Sequence, residues 1–178
     1  MKTAYFYEKQ KFSQWWLWLI VIATTLSVVI TFSYGFYQQL LMGEPWGTEP
    51  ISDSGLIAIG LGCIGTVILF DWFFITSALE IKIEKRSLSY KYWPFVHRWK
   101  TIYKEGIIKM SLKKNSAIKE YGGYGYRIGF GKGKALIVKG DKGLQLELGS
   151  GKVILLGTQR PDALRGALSK AFEKHNIE

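Results

Sequence analysis

The chain has 178 residues and a net charge of +10, room for one ordinary domain and something small. Its one cysteine, Cys63, excludes an intrachain disulfide framework and a multi-cysteine metal site, and only His97 and His175 could supply imidazole. Only Lys2, Lys9 and Lys11 precede residue 78, so the remaining 21 of the 24 Lys and Arg crowd into residues 78–178. A basic part of this kind attracts anionic partners: nucleic acid, a membrane surface or an acidic protein.

Residues 1–14 read as a short basic tail. From Trp15 to Tyr37 no side chain is charged, and a helix needs about 20 apolar residues to cross a bilayer core. Trp15, Trp16 and Trp18 at one end and Tyr34, Phe36 and Tyr37 at the other are placed as in the aromatic belts of a spanning helix. A secretory signal peptide would have a shorter apolar stretch and a small-residue cleavage site; none lies near residues 32–39. Residues 15–37 are therefore expected to be a first transmembrane helix. Residues 38–53 form a short external loop with Glu44, Glu49 and Asp53 and no Lys or Arg.

Residues 54–77 can be read in two ways. Gly60, Gly62 and Gly65 spell G-x-G-x-x-G, and Glu84 stands about 20 residues on, where a ribose-binding acid could sit. A dinucleotide site would require the following helix to have a polar face, but "TVILFDWFFITSAL" is apolar nearly all round. No second strand–helix–strand unit follows. The better reading is a second transmembrane helix. Ala58, Gly62 and Thr66, four apart, then form a small-residue stripe that packs against the first helix or another copy, which leaves a homo-oligomer open. Asp71 lies near the helix end, where snorkelling or pairing with a Lys is expected rather than an ion path. Lys2, Lys9 and Lys11 on one flank and Lys82, Lys85 and Arg86 on the other place both termini inside, by the positive-inside rule. The expected location is a cytoplasmic (inner) membrane, crossed twice.

From residue 78 the period becomes two. "LEIKIE" puts Leu79, Ile81 and Ile83 on one face; "KRS" turns; "LSYKYW" returns. "IIKMSLK" alternates through Ile108, Met110 and Leu112. "YGYRIGF", "ALIVKG", "LQLEL" and "VILLGT" follow, joined by "GKGK", "DKG" and "GSGK", each a Gly-bearing hairpin connection. Pro161 opens an amphipathic helix with Leu164, Ala167, Leu168 and Phe172 on one side. Seven or eight short antiparallel strands in a barrel or sandwich, capped by a helix, are predicted for residues 78–178.

"EYGGYGYR" (Glu120–Arg127) resembles a Glu-Tyr-Gly-Gly-Trp-Gly-Ile-Arg signature of bacterial two-helix membrane proteins with a PH-like domain. "WPF" (Trp93–Phe95) and "GTQRPDAL" (Gly157–Leu164) resemble further features of that family, whereas Tyr124 and Tyr126 depart from its Trp and Ile. The resemblance implies a membrane α-helical hairpin followed by an α+β domain, a PH-like antiparallel barrel or sandwich with a C-terminal helix. It implies a location and a binding role, not a reaction.

No catalytic set emerges: neither His has a nucleophile or carboxylate at a recognisable spacing, and no G-x-S-x-G elbow is present. The second Gly-rich run lacks the G-x-x-x-x-G-K-[ST] pattern, so its glycines read as strand irregularities. A non-enzymatic protein without cofactor or metal is expected. Candidate contacts with a partner or lipid are Lys85, Arg86, Arg127, Lys132 and Lys134, with Arg127 expected to pair with Glu120 or Glu147. If the first strand of the domain stands upright on the bilayer, Lys85 and Arg86 point away. Trp93, Phe95, Arg98, Trp99 and Lys100 then come back as membrane-interface candidates. Nucleic acid is disfavoured, because no aromatic RNA-binding signature accompanies the lysines. The expectation is a membrane-anchored binding or scaffold module holding a protein partner. The alternative is a sensor of anionic lipid headgroups, and a third reading is an accessory subunit of a transport or enzyme complex.

Overall fold

The computed structural model describes residues 4–114, 121, 123–129 and 133–172. Two compact units emerge: residues 13–75, and residues 1–12 together with 76–178.

The first unit is a helical hairpin. Helix α1 (Trp15–Phe36) runs on into a π turn at Tyr37–Leu41, and α2 (Asp53–Thr76) returns. Both are long and apolar enough to cross a membrane, and only 6% and 11% of their most apolar stretches are buried, so most of those residues are exposed or half-buried. Contact uses residues three or four apart: Val21, Thr25, Phe32 and Phe36 meet α2 at Leu56, Gly60, Val67 and Asp71. A Cβ at Gly60 would overlap the rings of Phe36 and Phe32, so glycine permits the close approach. Of the expected Ala58, Gly62 and Thr66 stripe, only Thr66 borders α1, lining a cleft with Val21 and Thr25. All three are exposed, and a Cβ at Gly62 would meet nothing. The glycine doublet offered two faces, and the aromatic rings of α1 occupy the one carrying Gly60. Gly60, Gly62 and Gly65 all lie within α2, which removes the strand and turn a dinucleotide site requires. Asp71 is also corrected: it accepts a 2.9 Å hydrogen bond from the Thr25 hydroxyl on α1.

The second unit contains nine strands among the described residues. They are β1 (Phe6–Lys11), β2 (Ala78–Glu84), β3 (Ser87–Trp93), β4 (Val96–Tyr103), β5 (Ile107–Lys114), β6 (Gly125–Gly129), β7 (Gly133–Ile137), β8 (Lys142–Leu148) and β9 (Val153–Gly157). Helix α3 (Pro161–Phe172) ends the described chain. One sheet has the order β1-β2-β3-β4 and the other β5-β8-β9-β7-β6. The basic tail thus contains a strand: β1 pairs antiparallel with β2, Lys11 opposite Ala78. The expectation of antiparallel strands throughout fails at β7, which pairs parallel with β9. Because β9 lies between β7 and β8, the "DKG" connection is a crossover rather than a hairpin. Ile108 is exposed, because a register shift between Ile107 and Lys109 turns its side chain outward. Leu79, Ile81, Ile83, Leu88, Leu144, Leu146 and Leu156 are fully buried, and Leu164, Leu168 and Phe172 of α3 complete this core.

Polar groups tie β1 to the far end of the chain. Glu8 and Gln10, on the buried side of β1, reach the segment before α3. Glu8 accepts from the Thr158 hydroxyl at 2.7 Å and the Gln159 N–H at 2.9 Å, and Gln10 donates to the Gly157 carbonyl at 2.7 Å. The Thr158 hydroxyl in turn accepts from the Arg160 N–H. The "GTQRP" stretch is therefore a docking segment for β1.

Candidate functional site

The two sheets do not close into a barrel. Among the described residues β4 ends one sheet and β6 the other, with no ladder joining them. Between them lies an open groove of about 690 Å³, lined by Tyr90, Ile102, Ile128, Leu148 and Ile154 and by Lys100, Lys134 and Lys152. Cross-strand register explains the lining. Tyr90 stands opposite Lys100 and Leu88 opposite Ile102, so Lys100 and Ile102 share the inner face of their sheet. Ile128 stands opposite Lys134 in the other sheet. Gly133 closes the β6–β7 turn at φ +81°, and any Cβ there would collide with the Val153 carbonyl.

Beside Lys134 of the groove lining, a stack of rings passes from one sheet to the other. Tyr92 stacks on Phe95 (5.8 Å, 6°), and Phe95 on Tyr126 (5.5 Å, 18°). The Lys134 ammonium lies 5.9 Å from the centre of the Tyr126 ring. This ladder crosses from sheet to sheet, joining "WPF" to "YGYR". Burial pushes the Tyr92 phenol up to about 12, with Arg127 drawing it back slightly. Tyr90 is raised by burial and then by Tyr126. Both phenols stay neutral at physiological pH. No carboxylate lines the groove among the described residues, so its field is positive. A 690 Å³ groove of apolar surface with a few convergent cations has the size and make-up of a binding site.

Of the predicted residues, Lys100 and Lys134 meet here. Lys132 and Glu120 lie outside the described residues. Arg127 turns to the opposite face and donates to the Tyr124 carbonyl at 3.1 Å. Glu147 is not its partner; it stands on β8, separated from β6 by β9 and β7, and accepts from Gln145. Lys85 and Arg86 form the two-residue β2–β3 turn, Ser87 already belonging to β3, and Arg86 pairs with Glu105. Its own N–H and then Arg86 hold the Glu105 carboxyl below its usual range. Trp93 is opposite Ala78, at the sheet end where the chain arrives from α2. Its ring meets His97 edge-on at 4.6 Å. Arg98 is exposed, and Trp99 is 5.2 Å from Lys91. Lys152, in the β8–β9 turn, carries no sequence signal, since only the folded register brings it to the seam.

A second polar cluster occupies the outer face of the first sheet. Lys9, Glu80 and Lys91 are directly opposed across β1, β2 and β3, with Lys91 at 3.2 Å and Lys9 at 3.4 Å from Glu80. The Tyr7 hydroxyl donates to the same carboxylate at 2.8 Å. The cluster is internally satisfied and structural. No cluster of His, Cys, Asp and Glu suited to a metal occurs among the described residues. A comparison with protein-family models and with curated proteins finds no match.

Proposed function

We propose that the chain is a membrane-anchored, non-catalytic binding module: α1 and α2 cross a cytoplasmic membrane as a hairpin, and a PH-like β domain in the cytoplasm receives a protein partner. The observation that carries the binding role is the open seam between β4 and β6, apolar inside and bearing three lysines. The anchor is supported by exposed Leu19, Ile22, Leu26, Ile30, Ile59, Leu61, Ile68 and Leu69, which need lipid around them. The acidic loop without Lys or Arg between α1 and α2 supports the orientation. Two sheets and a terminal helix are the ingredients of a PH-like domain. Exposed strand edges suit partners that bind by adding a strand.

The test is site-specific photocrosslinking in cells, with a photoreactive residue replacing Ile128 in the seam or Lys85 at the far turn. A discrete protein adduct from position 128 and none from position 85 is expected. Adducts from neither position, with the protein intact in membranes, would defeat the reading. Anionic lipid headgroups are the second reading, favoured by the +10 charge. It predicts that neutral vesicles bind the detergent-solubilised chain less well than anionic ones, by a margin that Lys85→Glu reduces.

A further inference from the structure

We infer that the seam receives an extended acidic segment of the partner, which adds a strand to the β4 edge and sends alternate side chains into the groove. This rests on the binding-module reading and names the chemistry of its partner. Three observations meet at one place. Among the described residues β4 has a strand on one side only, so the N–H and C=O groups of its other edge are a template for pairing. That edge borders the groove through Lys100, Thr101 and Ile102. Across the groove, Ile128 comes from the edge strand β6 of the other sheet, Lys134 from β7 beside it, and Lys152 from the β8–β9 turn.

A strand laid along β4 points every second side chain to one face. On the inner face those side chains would lie among Ile102, Ile128 and Ile154, with the ammonium groups of Lys100, Lys134 and Lys152 within reach. Apolar and acidic residues satisfy both sets. A basic segment would face three like charges with no carboxylate among the described lining residues. An inward-pointing lysine on an edge strand also guards against indiscriminate pairing, and such a guard repels or ignores most strands while admitting an acidic one. A lipid tail could fill the apolar floor, but it would leave the β4 backbone groups unused.

The experiment uses the full chain in nanodiscs of neutral phosphatidylcholine. The probes are fluorescein-labelled peptides of about ten residues, some 33 Å extended, one alternating Glu and Val and one alternating Lys and Val. The acidic peptide should bind at least about tenfold more tightly. Lys100→Glu should weaken it by about tenfold or more, while Lys85→Glu leaves it unchanged. Amides of residues 99–103 should gain protection from hydrogen exchange on binding. Equal binding of the two peptides, indifference to Lys100→Glu, or unprotected β4 amides would each overturn the inference. So would binding of oleate in place of either peptide, which would assign the groove to an amphiphile. If the acidic peptide fails but the crosslinker at position 128 still captures a discrete protein, the binding-module reading survives alone. If both fail, both fall.

Discussion

Glu80 shows how one carboxyl can report on the whole first sheet. Burial alone would push it up, but the Tyr7 hydrogen bond, and then Lys91 and Lys9, hold it below its ordinary value of 4.5. Tyr7 is raised by its own burial and by the same contact. A carboxyl depressed on folding contributes stability in full above its unfolded pKa and loses it as pH falls through the folded one. Urea midpoints of the detergent-solubilised chain should therefore hold from neutral pH to about 4.5 and fall below that. Glu80→Gln should flatten this acid limb; an unchanged limb would detach Glu80 from it. Glu8 makes a stronger demand, since it is buried and accepts two hydrogen bonds. Bonds to a charged group are worth about 1.5–3 kcal/mol each. Glu8→Ala should cost roughly 3 kcal/mol in urea unfolding, and Glu8→Gln less. Equal, small losses would mean that water replaces the carboxylate at no cost.

At the scale of elements, α2 offers a matched pair of substitutions two residues, roughly half a turn, apart. Gly60→Leu inserts a side chain where the Phe32 and Phe36 rings already lie, and overpacking of this kind costs about 1–3 kcal/mol. Gly62→Leu points into open space and should be neutral. Thermal unfolding in detergent, followed by size exclusion, separates the two; equal sensitivity would place a second packing partner on the Gly62 face. The helices were legible because length and composition alone define a span. Leu79, Ile81 and Ile83 were legible because period two survives wherever one face is buried. β1 was not: its inward positions after Phe6 are Glu8 and Gln10, so "FYEKQK" shows no apolar alternation. The reason for those polar residues lies some 150 positions later, at Thr158. The parallel insertion of β9 beside β7 was equally hidden, because strand order is decided by packing between segments. Of the candidate site, Lys100 and Lys134 could be named from their turns and strands. Their convergence with Lys152 follows only from the open seam.

For the whole molecule, the hairpin is an insertion between two paired strands. Residues 78–178 alone leave the β2 edge bare and strip Thr158 and Gln159 of their acceptor, so they should aggregate. Lys11 and Ala78 are directly opposite, about 5 Å apart. Joining residues 4–12 to 77–172 through a short Gly-Ser turn should give a soluble, folded domain with dispersed amide resonances. The reverse result would make β1 an ornament. In the membrane arrangement proposed above, that same pairing has a consequence for biosynthesis. β1 is made first, yet it must join strands made after both helices, so the chain can complete its sheet only when both helix ends lie on one side. Orientation is then checked by folding as well as by charge. At about 5–20 residues per second, Glu8 waits roughly 8–30 s for Thr158 to leave the ribosome. A chain that stalls in that interval keeps β1 as an unpaired strand ahead of its helices, visible to any protease that reads unfolded segments.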